Sequence, residues 1–267
     1  IGYQAGSFTK GGDYNVMIGT QSNSGVLNHI TDRVTSVGYR SLKNNKGDQN
    51  TSLGYEAGFN NTTGTQNVFL GYKAGLANNN VGGKGHHNIY LGYCAGFYNE
   101  DVSNSVFIGY RSGYYNKTGD SNTIIGYDSN FGVINNSISN VTSVGFQCLL
   151  RNKGDSNTAL GYQAGLNNDD GTGNLFIGYK SGYENTGGDN NTYVGYQAGL
   201  YNTGSNNICI GPNSGSGSES SNDPVSNKLY IDNQRLGSSS LIYGDFTSSS
   251  SRKVTINGDL NVTGTTT

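Results

Sequence analysis

Few side chains in this sequence can do acid–base or metal chemistry, and their spacing scatters them. Histidine occurs only as His29, His86 and His87. The His86-His87 pair follows the glycine-rich insertion Val81-Gly-Gly-Lys-Gly85, with no spaced carboxylate or cysteine to complete a metal site. It therefore reads as a solvated loop. Serines are many, but no Ser/His/Asp set of unlike groups suggests itself. Cys94, Cys148 and Cys209 occupy three different places in a repeating frame, as scattered small substitutions would, so no disulfide framework is expected. The recurring Gly-Tyr-x-Ala-Gly lacks the lysine and the following helix of a phosphate loop.

Two side-chain types do recur. Asp13, Asp48, Asp120, Asp155 and Asp189 each stand six residues before a glycine that heads a repeat. Calcium-binding rolls need denser glycine and aspartate runs, so these single carboxylates read as turn formers. No cofactor is expected, and calcium is the minor alternative. The second type is tyrosine, one residue after that glycine: Tyr3, Tyr39, Tyr55, Tyr72, Tyr93, Tyr110, Tyr127, Tyr162, Tyr179 and Tyr196, with Phe146 in one gap. Such a row would serve either as an exposed platform for sugar rings or as a buried stacking ladder. Its strict recurrence suits structure better than recognition.

The element that positions these residues is a short repeat, seen as Asn157-Thr-Ala-Leu-Gly-Tyr-Gln-Ala-Gly165 and again from Asn174 and from Asn191. With the glycine before tyrosine as position zero, equivalents fall at Gly2, Gly19, Gly38, Gly54, Gly71, Gly92, Gly109, Gly126, Gly145, Gly161, Gly178, Gly195 and Gly211, mostly 16 or 17 residues apart. So short a period predicts an all-β parallel solenoid of about thirteen stacked coils. Position −1 is always aliphatic, and position −3 is always β-branched or leucine. That alternation predicts a short strand with both rows inward and position −2 facing outward or a neighbour. The expected core row is Ile18, Val37, Leu53, Leu70, Leu91, Ile108, Ile125, Val144, Leu160, Ile177, Val194 and Ile210. Position +3 is always small, which predicts a close approach of backbones, and the glycine common at +4 predicts a turn.

A longer period overlies the short one. Asn23 and Asn130, Leu42 and Leu149, and the motifs beginning Thr35 and Thr142 all lie 107 residues apart, so a block of coils was duplicated. Matching insertions around Val26-Leu27-Asn28 and Val133-Ile134-Asn135 are candidates for specialised surface loops, against simple drift in loop length. The solenoid is expected over 1–213, a Gly/Ser linker or cap over 214–227, and a C-terminal β segment over 228–267. The start inside a repeat, at Ile1-Gly2-Tyr3, reads as a piece of a longer protein.

Composition excludes several classes. The net charge of −2 argues against nucleic-acid and anionic-membrane partners. No apolar run is long enough to span a membrane. Apolar residues make up 33% of the chain and charged ones 13%, with 43 glycines and 20 tyrosines, which suits a thin-cored periodic β structure better than disorder.

The frame N-[V/T]-x-[I/L]-G-Y-x-[A/S]-G resembles the head repeats of trimeric autotransporter adhesins, with a longer period. It is more similar still to repeats of viral and phage tail-fibre proteins. The C-terminal run through Asn227-Lys-Leu-Tyr-Ile-Asp232, Leu241-Ile-Tyr-Gly-Asp-Phe246 and Val254-Thr-Ile-Asn-Gly-Asp-Leu-Asn-Val262 is similar to the segment preceding an intramolecular chaperone domain in such fibres. The resemblance implies a β-roll with three chains side by side, a rod on the order of 60 Å at about 4.8 Å per coil. It further implies a non-enzymatic fibre or adhesin on a virion or cell surface, whose partners are its own copies and a host-surface glycan or protein receptor. An ice- or surface-binding solenoid and the shaft of a glycan-degrading tailspike are the alternatives.

Overall fold

The computed structural model describes residues 1–259 except 26, 79–84, 135, 218–223, 234–236, 249 and 251. Val26 and Asn135 of the paired insertions, most of the stretch before His86, part of the linker, and Leu260–Val262 lie outside the described residues.

The chain is an all-β parallel solenoid. Each repeat contributes one three-residue strand, and twelve of them stack in register from Val16–Ile18 to Ile208–Ile210. Thr158, Ala159 and Leu160, for example, pair with Leu175, Phe176 and Ile177. The coil at Gly2 joins through single bonds, with Gly19 and Gln21 donating to the carbonyls of Ile1 and Tyr3 at 2.7 and 2.8 Å. The next strand, Lys228–Ile231, continues the ladder in parallel. The antiparallel strands Ile242–Asp245 and Lys253–Ile256 then close that end. The second arm of the coil forms its own ladder in one place, where Asn116–Thr118 pairs with Asn136–Ser137 across a bulge.

The strands are where the alternation places them, but their phase is reversed. Position −2 points inward: Ser36, Ser52, Phe69, Tyr90, Phe107, Ile124, Ser143, Ala159, Phe176, Tyr193 and Cys209 are fully buried. The row expected in the core, Ile18, Val37, Leu53, Leu70, Leu91, Ile108, Ile125, Val144, Leu160, Ile177, Val194 and Ile210, faces outward with position −3, each residue half-buried or exposed in the single chain. The cause lies across the coil. The small residues from Ser22 to Ser214 at +3 and the glycines at +4 face the −2 side chains. Only there is room left for a ring: a Cβ on Gly182 would lie 2.3 Å from the Phe176 ring. Where −2 shrinks to Ser36 and Ser52, +4 becomes Leu42, and the duplicated Ser143 and Ala159 are matched by Leu149. Both leucines are fully buried and sit in the left-handed region, at φ 51° and 50°. That conformation costs about 1–2 kcal/mol for a non-glycine residue, offset here by core filling.

The second arm is held by polar groups. Two columns of buried asparagines run along the axis. Asn174 and Asn191 donate their backbone N–H to the side-chain oxygens of Asn157 and Asn174, at 2.9 and 2.8 Å. In the other column the amides of Asn168 and Asn185 donate to Asn152 and Asn168, at 2.8 and 2.6 Å. Each such side chain satisfies backbone groups that an apolar residue would orphan. The asparagine-rich segments between the strands thus supply a polar part of the interior.

Candidate functional site

The tyrosine row is on the surface. From Tyr39 to Tyr196, with Phe146 included, ten rings stack without a break, their centroids 4.8–5.2 Å apart and planes within 17°. That separation is close to the spacing of the strands themselves. Every interior ring therefore has both faces against its neighbours and shows only its edge and hydroxyl. A sugar ring stacks on a face, so the row offers no platform along its length. Tyr3, 71% exposed, is separated from the stack by Thr20, which takes the tyrosine position of the next coil.

The other candidates stay apart. Asp48, Asp120, Asp155 and Asp189 each accept a backbone N–H from the preceding coil, those of Asp32, Ser103, Ser139 and Thr172, at 2.7–2.9 Å. Asp32 does the same for Asp13. Their carboxylates thus tie coil to coil. Among the described residues no three His, Cys, Asp or Glu side chains gather as a metal site, and no helix is long and apolar enough to cross a membrane. His86 Nδ1 lies 2.9 Å from Thr65 Oγ1, and His87 Nε2 lies 2.6 Å from Gln66 Oε1, which places the two imidazoles against the preceding coil. The three cysteines are buried and unpaired, and burial pushes the Cys148 thiol up to about 12.

Sequence reading passed over a patch where the repeat breaks its own rule. Positions +5 and +6 are both aromatic in two successive coils, Phe97-Tyr98 and Tyr114-Tyr115, and Phe131-Gly132 follows. At +5, Phe97, Tyr114 and Phe131 stack at 5.0 and 5.1 Å. At +6, Tyr98 and Tyr115 stack at 5.3 Å with planes 4° apart, edge-on to the first column. Burial raises the Tyr114 phenol to about 12. Beside the rings, Lys117 Nζ pairs with Glu100 Oε2 at 3.3 Å. Arg111 grips Asp128 through two hydrogen bonds of 2.8 and 2.7 Å and lies over the rings of Tyr110 and Phe131. A groove of about 360 Å³ is lined by Tyr98, Glu100, Tyr115, Lys117 and Ile134. A second of about 440 Å³ shares Tyr115 and Ile134 and runs to Arg151. Ile134, in the insertion that is either a specialised loop or drift in loop length, lines both grooves. The doubled aromatics in adjacent coils were the signal available in the sequence.

Compared with protein-family models, curated proteins and solved structures, the chain finds no match.

Proposed function

We propose that this chain is a segment of a non-enzymatic, homotrimeric fibre on a virion or cell surface, serving attachment through repeated weak contacts. One observation carries the reading: the strand face turned away from the core carries an unbroken aliphatic row at position −1, flanked at −3 by a mixture of aliphatic residues and threonines. Val16, Leu53, Ile89, Leu160 and Ile208, drawn from both outward rows, are each 41–49% exposed. A stripe this continuous exceeds what soluble monomers usually leave open to water. Identical chains set side by side would cover it, and a repeating face matches a repeating partner coil by coil. The thin, half-polar interior supports the same reading, since the packing a single chain lacks would be supplied between chains. Three parallel copies would then present each surface feature three times, raising avidity without a deep pocket. The mass in solution tests assembly: three times 28.2 kDa is expected.

One observation favours a second reading. Position −3 faces outward, and Thr35, Thr51, Thr123, Thr142, Thr158 and Thr192 stand there at strand spacing, as on a surface that binds ice. Val16, Val68, Ile89, Val106, Leu175 and Ile208 interrupt them. Thermal hysteresis of the chain in water would favour this reading over the fibre.

A further inference from the structure

Resting on the attachment reading, we propose that the groove between Tyr115 and Ile134 is a carbohydrate subsite that takes the apolar face of a neutral pyranose ring. Position +6 elsewhere on the roll carries residues such as Asn60, Ala77, Arg151, Asn167 and Glu184, and only Tyr98 and Tyr115 place rings there in successive coils. The stack then stops. Gly132 takes the same position in the next coil, and a Cβ built on it would already touch the Tyr115 Cβ at 3.5 Å. With no side chain there, the parallel +6 stack ends at Tyr115, and the next coil meets its ring through Phe131 at 5.1 Å and 83°, not through a third stacked ring. The column thus ends at a groove, which the long tyrosine ladder does not line among the described residues.

The surroundings select the ligand class. Ile134, 67% exposed, stands across the groove as an apolar wall. Glu100 and Lys117 stand at the groove with their acceptor and donor half-exposed, 3.3 Å apart. Both are fixed by the backbone, since the N–H of Glu100 and of Asp101 donate to the Lys117 carbonyl. A pyranose presents C–H groups on one face and hydroxyls around its rim, so one side meets a ring while the rim meets a carboxylate and an ammonium. The two charges balance, which favours a neutral sugar over an anionic one. At about 360 Å³ the groove is at the small end for ligand sites.

The duplicated block supplies an internal control. Counted 107 residues back, Tyr115, Lys117, Ile134 and Gly132 correspond to Phe8, Lys10, Leu27 and Gly25. Arg111 and Asp128 correspond to Gln4 and Gln21. Phe8 and Leu27 are both exposed. Phe8→Leu therefore alters the matching position of another coil and leaves Tyr115 and its neighbours untouched.

The test is saturation-transfer NMR on the full chain with methyl β-glycosides of glucose, galactose and N-acetylglucosamine as probes. Transfer is expected to at least one of them, strongest to the ring protons of one face. It should fall at least fivefold in Tyr115→Leu and in Glu100→Gln, and stay unchanged in Phe8→Leu. Glu100→Gln leaves the aromatic stack intact, so it reports even if Tyr115→Leu fails to fold. Absence of transfer to all three sugars, or transfer undiminished in Glu100→Gln and in a folded Tyr115→Leu, would overturn the subsite. A trimeric mass alongside either result would leave the fibre reading standing, and a monomeric mass with site-dependent transfer would remove the fibre and keep the subsite.

Discussion

Gly161 and Gly178 stand so close, one coil above the other, that a Cβ built on Gly161 would lie 2.5 Å from the Gly178 carbonyl oxygen. Gly161 also has φ 141°, a region L side chains rarely adopt. The same relationship repeats from coil to coil, so the glycine before each tyrosine is a steric requirement of stacking. Gly161→Ala is expected to cost roughly 3 kcal/mol or more, through both clash and backbone strain. The urea midpoint checks it; a loss below about 1 kcal/mol would mean the coils separate easily.

Phe176→Ala and Ile177→Ala, at neighbouring positions of one strand, should differ sharply. Phe176 is fully buried and its truncation is expected to cost about 3–5 kcal/mol. Ile177 faces outward, and its truncation should cost the dispersed single chain less than about 1 kcal/mol. Ile177→Lys should leave the fold intact and block assembly. Equal losses of fold stability in the two alanine variants would contradict the phase of the strand.

Asn157→Leu keeps the branched heavy-atom framework of the side chain, with some added bulk, and removes every hydrogen-bonding group it gives the interior column. The Asn157 amide donates to the carbonyls of Gly154 and Gly171 and to Asn152 Oδ1, and its own oxygen accepts from Asn174 N. Orphaning those groups is expected to cost about 2–4 kcal/mol. A stabilised variant would show the column to be dispensable.

Lys228 and Asp245 pair across the antiparallel closing strands, Nζ to Oδ1 at 2.6 Å. That bond, with help from Thr247, lowers the Asp245 carboxyl from 3.8 to about 2. A carboxyl held below its unfolded value contributes stability that is present above pH 4 and lost as pH falls toward 2. Hydrogen exchange over Ile242–Asp245 should quicken across that window and lose this dependence in Asp245→Asn. A window unchanged in Asp245→Asn would assign the effect to another group.

Much of the architecture was legible in the sequence because stacking imposes one rule on every coil: glycine at the position of Gly161 and a small residue at that of Ala164. The phase of the strands was not legible. Position −2 varies from Ser52 to Phe69, and such variation reads as surface, whereas Leu42 and the +4 glycines compensate for it across the interior. The outward −1 row is uniformly aliphatic and the −3 row is aliphatic or threonine, as a core would be, because in the fibre reading they meet another chain. The recurrence of Tyr162 and its equivalents favours structure over recognition, and the 5.1 Å stacking on Tyr179 shows how: the face is occupied although the row is on the surface. The patch at Tyr98 and Tyr115 is not legible from the repeat because it is defined by a departure from it.

The central claim is that the outward apolar face is an interface between copies of this chain. Light scattering coupled to size exclusion tests it most directly. The account predicts a species of three times 28.2 kDa, reduced to a folded monomer by Leu160→Lys. A wild-type chain that is monomeric, folded and soluble at high concentration would contradict it.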